Sequence, residues 1–413
     1  MNDINNNLPI ENIRNFTIIA HIDHGKSTLS DRLIERYKHE NNIDYTIEQE
    51  QTLDSMDLER EKGITIKSQT VQLSYTDSRT NPQKKYKFNL IDTPGHDDFR
   101  YEIDRCLSSV EGSIIVVDAA QGIEAQTIQN TAKALKANHK FIIALNKIDL
   151  PAANIEKSTR EILDFFGEST IIIPVSAKKG IGITELLHAI IDHLPAPKPN
   201  NESKLQALLI DSWYDDYLGV IGLVRVFSGR LTKNMQIQTL GVNQKHKITN
   251  VGRFLPKKDI IPSLTAGDIG FFTTGVKKLS SFKVGDTICE INNLLPAIAG
   301  FRPNQPVIFC GLYPENSSSY KSLCDSLDKL HLNDSSFIFS KETSLALGQG
   351  FRCGFLGLLH LEIIQQRLIR EFNIDIITTM PNVSYQITKK HKTESQEITI
   401  DNAIEFPEQQ LIE

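Results

Sequence analysis

The stretch Ala20-His21-Ile22-Asp23-His24-Gly25-Lys26-Ser27-Thr28 holds the residue types of a phosphate-binding loop. An apolar run, Phe16-Thr17-Ile18-Ile19, precedes it and reads as a buried parallel strand. After it, Leu29, Leu33 and Ile34 suit one face of a helix. In a strand–loop–helix unit of this kind the loop amides and the helix N-terminus point at one spot and attract anions. Asp23, His24, Gly25, Lys26, Ser27 and Thr28 are the candidate phosphate contacts: Lys26 would reach the β- and γ-phosphates and the Ser27 hydroxyl would hold Mg²⁺. The usual first glycine is replaced by Ala20, a residue still small enough for a tight turn.

Four further motifs follow in order. Asp92-Thr93-Pro94-Gly95-His96 comes after the strand pattern 86–91. An aspartate there can bind Mg²⁺ through water, and Gly95 lets a backbone amide approach the γ-phosphate closely. His96 sits where a side chain could orient the attacking water, which makes it the candidate catalytic residue. Between these two motifs lies Glu61-Lys62-Gly63-Ile64-Thr65-Ile66, where Thr65 would give its hydroxyl to Mg²⁺ and its amide to the γ-phosphate. That contact disappears on hydrolysis, so the segment can order and release. Asn146-Lys147-Ile148-Asp149 follows an apolar strand at 141–145. A carboxylate at Asp149 can accept both guanine N1–H and N2–H₂, a donor pair adenine lacks. An unpaired buried acceptor costs ~1–3 kcal/mol, so the motif selects GTP over ATP. Ser176-Ala177-Lys178 follows the strand 171–175 and places a backbone amide for guanine O6.

These loops need a scaffold that brings strand ends together. Strand patterns at 16–20, 70–75, 86–91, 113–117, 141–145 and 171–175 alternate with helical ones at 26–38, 97–109, 124–138, 155–166 and 183–193. This is the signature of a doubly wound α/β sheet over residues 13–195. Pro195, Pro197 and Pro199 form a linker. Short alternating strands with glycine turns then predict a β-barrel over 196–294. Residues 304–380 read as strand, helix, two strands, helix, strand: an α+β split βαβ sandwich, with Ser317 or Ser318 as cap of its first helix. Residues 381–413 show no core of their own and read as a connecting segment, and residues 1–12, polar and Asn-rich, as a disordered tail.

Composition sets outer bounds. A chain of 413 residues implies two to four domains. A net charge of −6 argues against a general nucleic-acid coat, while leaving room for local basic patches. Five scattered cysteines with no C-x-x-C pair read as reduced residues of a cytoplasmic protein. No run of eighteen apolar residues is present to span a bilayer as a helix.

With all five motifs in place the chain resembles the translational GTPases, and within them the elongation factor 4 (LepA) family. Three stretches carry the closer resemblance: 54–69, from Asp54-Ser55-Met56-Asp57 to Lys67-Ser68-Gln69; 211–220, Asp211-Ser212-Trp213-Tyr214-Asp215-Asp216-Tyr217-Leu218-Gly219-Val220; and 350–360, Gly350-Phe351-Arg352-Cys353-Gly354-Phe355-Leu356-Gly357-Leu358-Leu359-His360. The resemblance implies a GTPase with GTP/GDP and Mg²⁺ that binds the ribosome (rRNA and ribosomal proteins) and is linked to back-translocation, fidelity and subunit assembly. It also implies peripheral attachment to the bacterial inner membrane, and a monomer. Ile22 and Ile64 would form an apolar gate beside His96. The family's further α/β domain and C-terminal tRNA-contacting domain have no counterpart here, so the chain is expected to be a fragment or truncated form that meets tRNA only through those domains. Candidate ribosomal contacts are Lys257-Lys258, Lys277-Lys278 and Lys389-Lys390-His391-Lys392. Three alternatives stand beside this one. One is an elongation factor G type. Another is a tRNA-delivering or sulfate-activating GTPase, which would carry two barrels rather than a βαββαβ unit. The third is a non-catalytic GTP-binding module or assembly scaffold.

Overall fold

The structure, a computed structural model, describes residues 8–40, 57–198, 203–215, 217–255, 257–276, 282–298, 305–334, 336–383, 385–391 and 394–400. The chain divides into two compact units, Met1–Phe301 and Arg302–Glu413. The architecture is multidomain: an α/β nucleotide-type domain with a largely parallel sheet, followed by β-rich and α+β domains.

The first domain is built on β1 (Ile13–Ala20), β2 (Gln69–Asp77), β3 (Lys84–Asp92), β4 (Gly112–Asp118), β5 (Lys140–Asn146) and β6 (Ile172–Pro174). Their spatial order is β2-β3-β1-β4-β5-β6. All pairs are parallel except β2 with β3, a hairpin at one edge. β1 and β4 are buried along their whole length, which is why they read as unbroken apolar runs. The helices are α1 (Lys26–Glu40), α2 (Asp57–Lys62), α3 (Arg100–Leu107), α4 (Ala125–Lys136), α5 (Ile155–Phe166) and α6 (Ile183–His193). On α1 the buried residues Leu29, Leu33, Ile34 and Tyr37 form the stripe that fastens the helix to the sheet. Asn154 caps α5 by accepting a hydrogen bond from the Lys157 amide at 3.0 Å. Helix α2 has no counterpart among the sequence-based elements: six residues are too few for an apolar period to show.

The second domain comprises β7 (Gln206–Asp215), β8 (Gly219–Ser228), β9 (Arg230–Thr232), β10 (Gln236–Thr239), β11 (Lys245–Lys247), β12 (Asn250–Leu255), β13 (Lys257–Ile260), β14 (Ser263–Thr265), β15 (Ile269–Thr273) and β16 (Thr287–Glu290). In the β-rich domain expected here, the strands form an eight-stranded antiparallel sheet, β11-β10-β16-β7-β8-β15-β12-β13, and a ribbon of β14 with β9. The short strands β9, β13 and β14 escape a sequence reading because three or four residues cannot show alternation. This domain packs on the first through ion pairs almost free of water. Lys87 Nζ lies 2.8 Å from Asp268 Oδ1, and Arg225 NH2 lies 2.7 Å from Glu111 Oε1. The buried side chains Ile91, Cys106, Val110, Ile210, Leu223 and Ile269 fill the space beside them.

The second unit contains β17 (Ile308–Pro314), α7 (Tyr320–Asn333), β18 (Ile338–Ser344), β19 (Gly348–Phe355), α8 (Leu358–Phe372), β20 (Ile376–Thr378), β21 (Asn382–Val383), β22 (Tyr385–His391) and β23 (Glu394–Ile400). The sheet order β18-β19-β17-β20 is antiparallel throughout, and Leu323, Leu327, Leu330, Phe351, Phe355, Ile364 and Leu368 join strands and helices in one core. His360 is fully buried there, with Nε2 at 3.1 Å from Ser336 Oγ and Nδ1 accepting the Leu356 amide at 3.1 Å.

Three expectations are corrected. The segment expected to be a coreless connector carries the antiparallel hairpin β22–β23 between Tyr385 and Ile400. Ile10–Asn12 of the expected loose tail is a 3₁₀ turn, anchored because Ile10 and Ile13 pack against Gly267, while residues 1–7 lie outside the described residues. Neither Ser317 nor Ser318 caps α7: a 3₁₀ turn at Ser317–Ser319 leads into it, with no side-chain cap. All five cysteines are free thiols. Among the described residues no helix is long and apolar enough to cross a membrane.

Candidate functional site

The site gathers at the carboxyl ends of β1, β3, β5 and β6. β1 ends at Ala20, the chain turns through His21–Gly25, and α1 starts at Lys26. The turn needs two left-handed residues, Asp23 (φ 64°) and Gly25 (φ 91°). A Cβ on Gly25 would stand 2.5 Å from Asn146 Nδ2, so only glycine lets the two loops touch. Gly95 approaches the same turn: its Cβ would lie 3.1 Å from Ala20 O.

Lys26 is buried, and its Nζ donates to Thr65 Oγ1 and to Asp92 Oδ2, both at 2.6 Å. Ser30 Oγ adds a 3.3 Å bond to Asp92 Oδ1. One cation thus already joins the hydroxyl and the carboxylate assigned to Mg²⁺, and Ser27 stands beside it at the helix start. Hydroxyl and carboxylate oxygens are the donors Mg²⁺ prefers, with phosphate oxygens completing its shell. The residues therefore fit that ion, with Ser27, Thr65 and Asp92 as the protein's share. Asp92 meets Lys26 directly, whereas a water-mediated metal contact is the role expected for it. Among the described residues no group of three or more His, Cys, Asp or Glu could hold a metal unaided.

Asn146 binds three loops together. Its Nδ2 donates to His24 O at 2.9 Å and its Oδ1 accepts the Ala177 amide at 3.0 Å. The Ala177 amide is therefore held by the same side chain that touches the phosphate loop. Lys147 takes a left-handed conformation (φ 63°) and pairs through Nζ with Asp118 Oδ2 at 2.8 Å. Ile148 packs against the apolar cluster behind β4 and β5. Asp149 Oδ1 accepts from Ser176 Oγ at 2.7 Å, and this bond holds the Asp149 carboxyl below its ordinary range. Gly25, Thr28, Arg32, Asp149, Leu150 and Lys178 are among the residues lining a cleft of about 310 Å³. The half-buried Asp149 carboxylate is part of its lining, and its size and chemistry suit a purine base.

His24 is fully buried inside the loop, with Nδ1 at 3.3 Å from both Val116 O and the Asp118 amide. Burial pushes its pKa down, against the opposing pull of the Val116 carbonyl. Thr65 sits in a loop after α2, not in a strand. Glu59, buried, accepts the Ile66 and Lys67 amides at 2.9 and 3.1 Å and so fixes the backbone beside Thr65. His96 is partly exposed. Its Nδ1 accepts the Asp98 amide at 3.1 Å, and its ring stands edge-on to Phe99 at 6.4 Å. Ile22 and Ile64 are both half-buried, on the first loop and after α2.

The basic clusters lie elsewhere. Lys258 donates to Asp215 Oδ2 at 2.7 Å, which neutralises it, and the Lys257 side chain lies outside the described residues. Lys277, Lys278 and Lys392 also lie outside them; Lys389, Lys390 and His391 fall on β22.

Several residues that shape the site carry no motif. Asp118 anchors Lys147; its position at a strand end is the one clue the sequence offers. Arg32 donates to the carbonyls of Ala177 and Lys178 at 2.7 and 3.1 Å and ties α1 to the base loop. His21 Nδ1 stands 2.6 Å from Gln126 Oε1. On the sequence, Arg32 and Gln126 are ordinary helix-surface residues.

Known proteins share this order of domains. The family model described as elongation factor Tu GTP binding domain matches residues 11–196, and elongation factor Tu domain 2 matches 219–289. Between them they span more than half of the chain, in the same order as the first two domains. A crystal structure of a protein from Thermus thermophilus superposes with a TM-score of 0.75 over 94% of this chain and 72% of that one, at 15% identity. At that identity it speaks for the fold alone, and it extends the likeness beyond the two matched domains. The motifs, their meeting at the strand ends and the two matched domains place the chain in the translational GTPase family.

Proposed function

We propose that the chain binds GTP and GDP with Mg²⁺, hydrolyses GTP, and does so on the ribosome as a factor of the elongation factor 4 (LepA) kind. The observation that carries this reading is the meeting of Lys26, Thr65 and Asp92 at one point, with Asp149 lining a nearby cleft. Phosphoryl transfer asks the protein mainly for positioning and charge. Lys26 supplies the charge, the Thr65 segment senses the γ-phosphate, and His96, released from the Asp98 amide, orients water. The stretches at 54–69, 211–220 and 350–360 favour the LepA kind within the family. The same reading makes the chain a cytoplasmic monomer, meeting rRNA and ribosomal proteins directly and tRNA only through further domains; peripheral membrane attachment rests on the resemblance alone.

The test is single-turnover GTP hydrolysis with and without ribosomes. Stimulation by ribosomes is the expected result. Tight GTP binding with no turnover in either condition would instead identify a binding module or scaffold. The direction of tRNA movement on stalled ribosomes then separates this reading from an elongation factor G type: backward movement is expected, and forward movement would overturn the LepA assignment.

A further inference from the structure

Asp211 opens a stretch of the second domain, yet its carboxylate is spent on the first. Asp211 Oδ1 lies 2.6 Å from Arg105 NH2, on α3 behind the His96 loop. Asp211 Oδ2 lies 3.2 Å from Lys67 Nζ, two residues beyond Thr65. The backbone is shaped to the same end. Between Leu209 and Asp211 the pairing of β7 with β8 slips by one residue, and Ile210 has no cross-strand partner. Such a bulge re-aims backbone groups, and the freed Ile210 carbonyl accepts Arg105 Nε at 2.9 Å and NH2 at 2.5 Å. Glu102 holds the remaining Arg105 nitrogen, NH1, at 2.5 Å. Lys67 also lies over the Trp213 ring at 5.2 Å, and Cys106 Sγ meets Ser68 Oγ at 3.2 Å.

Two carboxyl groups and two cations therefore meet in a cluster largely withdrawn from water. Burial alone would raise the Asp211 carboxyl, but Lys67 and Arg105 outweigh it and hold the group below its ordinary range. Removing one member leaves an uncompensated charge, which is costly where water is scarce. The cluster joins the two segments that face the γ-phosphate side of the site. Thr65 is held from one side by Glu59 through the backbone of Ile66 and Lys67, and from the other by Asp211 through the Lys67 side chain.

We propose that Asp211 is a positioning residue through which the second domain holds the Thr65 segment and α3 in the arrangement that favours a triphosphate over a diphosphate. The inference rests on the nucleotide reading above. A diphosphate makes no demand on Thr65, so a loosened segment costs only the triphosphate complex, which must order it.

The experiment measures GTP and GDP affinities, with Mg²⁺, for the wild-type chain, Asp211→Asn, Lys67→Met and the double variant, together with their melting temperatures. Each single variant should weaken GTP roughly tenfold, the effect of one charge-assisted contact, and leave GDP within about twofold. The double variant should lose no more than the worse single one, because both break the same link. Equal weakening of GTP and GDP, or additive losses, would overturn the proposal. If Asp211→Asn does not fold, Lys67→Met decides alone, since Lys67 stands at the edge of the cluster with 22% of its side chain exposed. A wild-type chain that binds neither nucleotide would refute the nucleotide reading itself; one that binds both while Lys67→Met keeps the same GTP:GDP ratio would sink only the role of Asp211.

Discussion

Replacing Asn146 by alanine tests the geometry of the site most directly. Asn146 is 2% exposed and makes two bonds, to His24 O at 2.9 Å and from the Ala177 amide at 3.0 Å. It touches the phosphate loop and the base loop, so its loss should loosen both ends of the nucleotide site together. Each neutral hydrogen bond contributes about 1 kcal/mol net, and a buried group left unpaired costs ~1–3 kcal/mol. Water entering the space left by the side chain offsets part of that second cost. The sum for closing the loops is ~2–4 kcal/mol, which converts to a loss of about 30- to 1000-fold in affinity. GTP and GDP should weaken alike, unlike the split expected for Asp211→Asn. Asn146→Asp should be no better: it keeps the acceptor for Ala177 but sets an oxygen against the His24 carbonyl. The assay is a titration of both variants with fluorescent GDP and GTP, alongside thermal melting. GDP affinity of Asn146→Ala within threefold of wild type, under ~0.7 kcal/mol, would refute the view that this bridge holds the site together.

Asp149→Asn should shift preference from guanine to xanthine nucleotides, because an amide replaces one acceptor by a donor; unchanged GTP affinity would remove Asp149 from the base pocket. His96→Ala should leave GTP affinity nearly unchanged and cut ribosome-stimulated turnover by roughly 10²–10⁴-fold, with a far smaller effect on intrinsic hydrolysis; stimulated turnover within about threefold of wild type, under ~0.7 kcal/mol in barrier, ends the catalytic assignment. Burial lowers the pKa of His139, whose Nε2 meets Leu107 O at 2.7 Å and whose Nδ1 meets Ser113 Oγ at 2.9 Å. Its folded pKa lies below the ordinary ~6.5, so the unfolded chain binds more protons in between. Its contribution to stability is present above about pH 6.5 and is lost as pH falls through the folded value. Urea unfolding of His139→Gln between about pH 7.5 and 5.5 should show a shallower slope than wild type, by up to ~1.4 kcal/mol per pH unit; coincident slopes would contradict a neutral buried histidine.

What the sequence by itself determined is contiguous. Lys26, Thr65, Asp92 and Asp149 are legible because each lies in a short run whose neighbours declare a strand end, a tight turn or a helix start. The α/β order of the first domain and the βαββαβ order of the second unit are legible for the same reason, since periods of 3.6 and 2 are local. Short elements were not: α2, β9, β13 and β14 are shorter than any period that could reveal them. The contacts that make the site one object were decided only in three dimensions. Lys26 finds Thr65 and Asp92 across 39 and 66 residues, Asn146 finds His24 across 122, and Arg32 finds Ala177 across 145. Asp211 reads on the sequence as a polar position at a strand, until the bulge at Ile210 aims it at Arg105 and Lys67. Polar side chains have many possible partners in an extended chain. Burial removes water as the default partner, and strand register then decides which of the others is within reach.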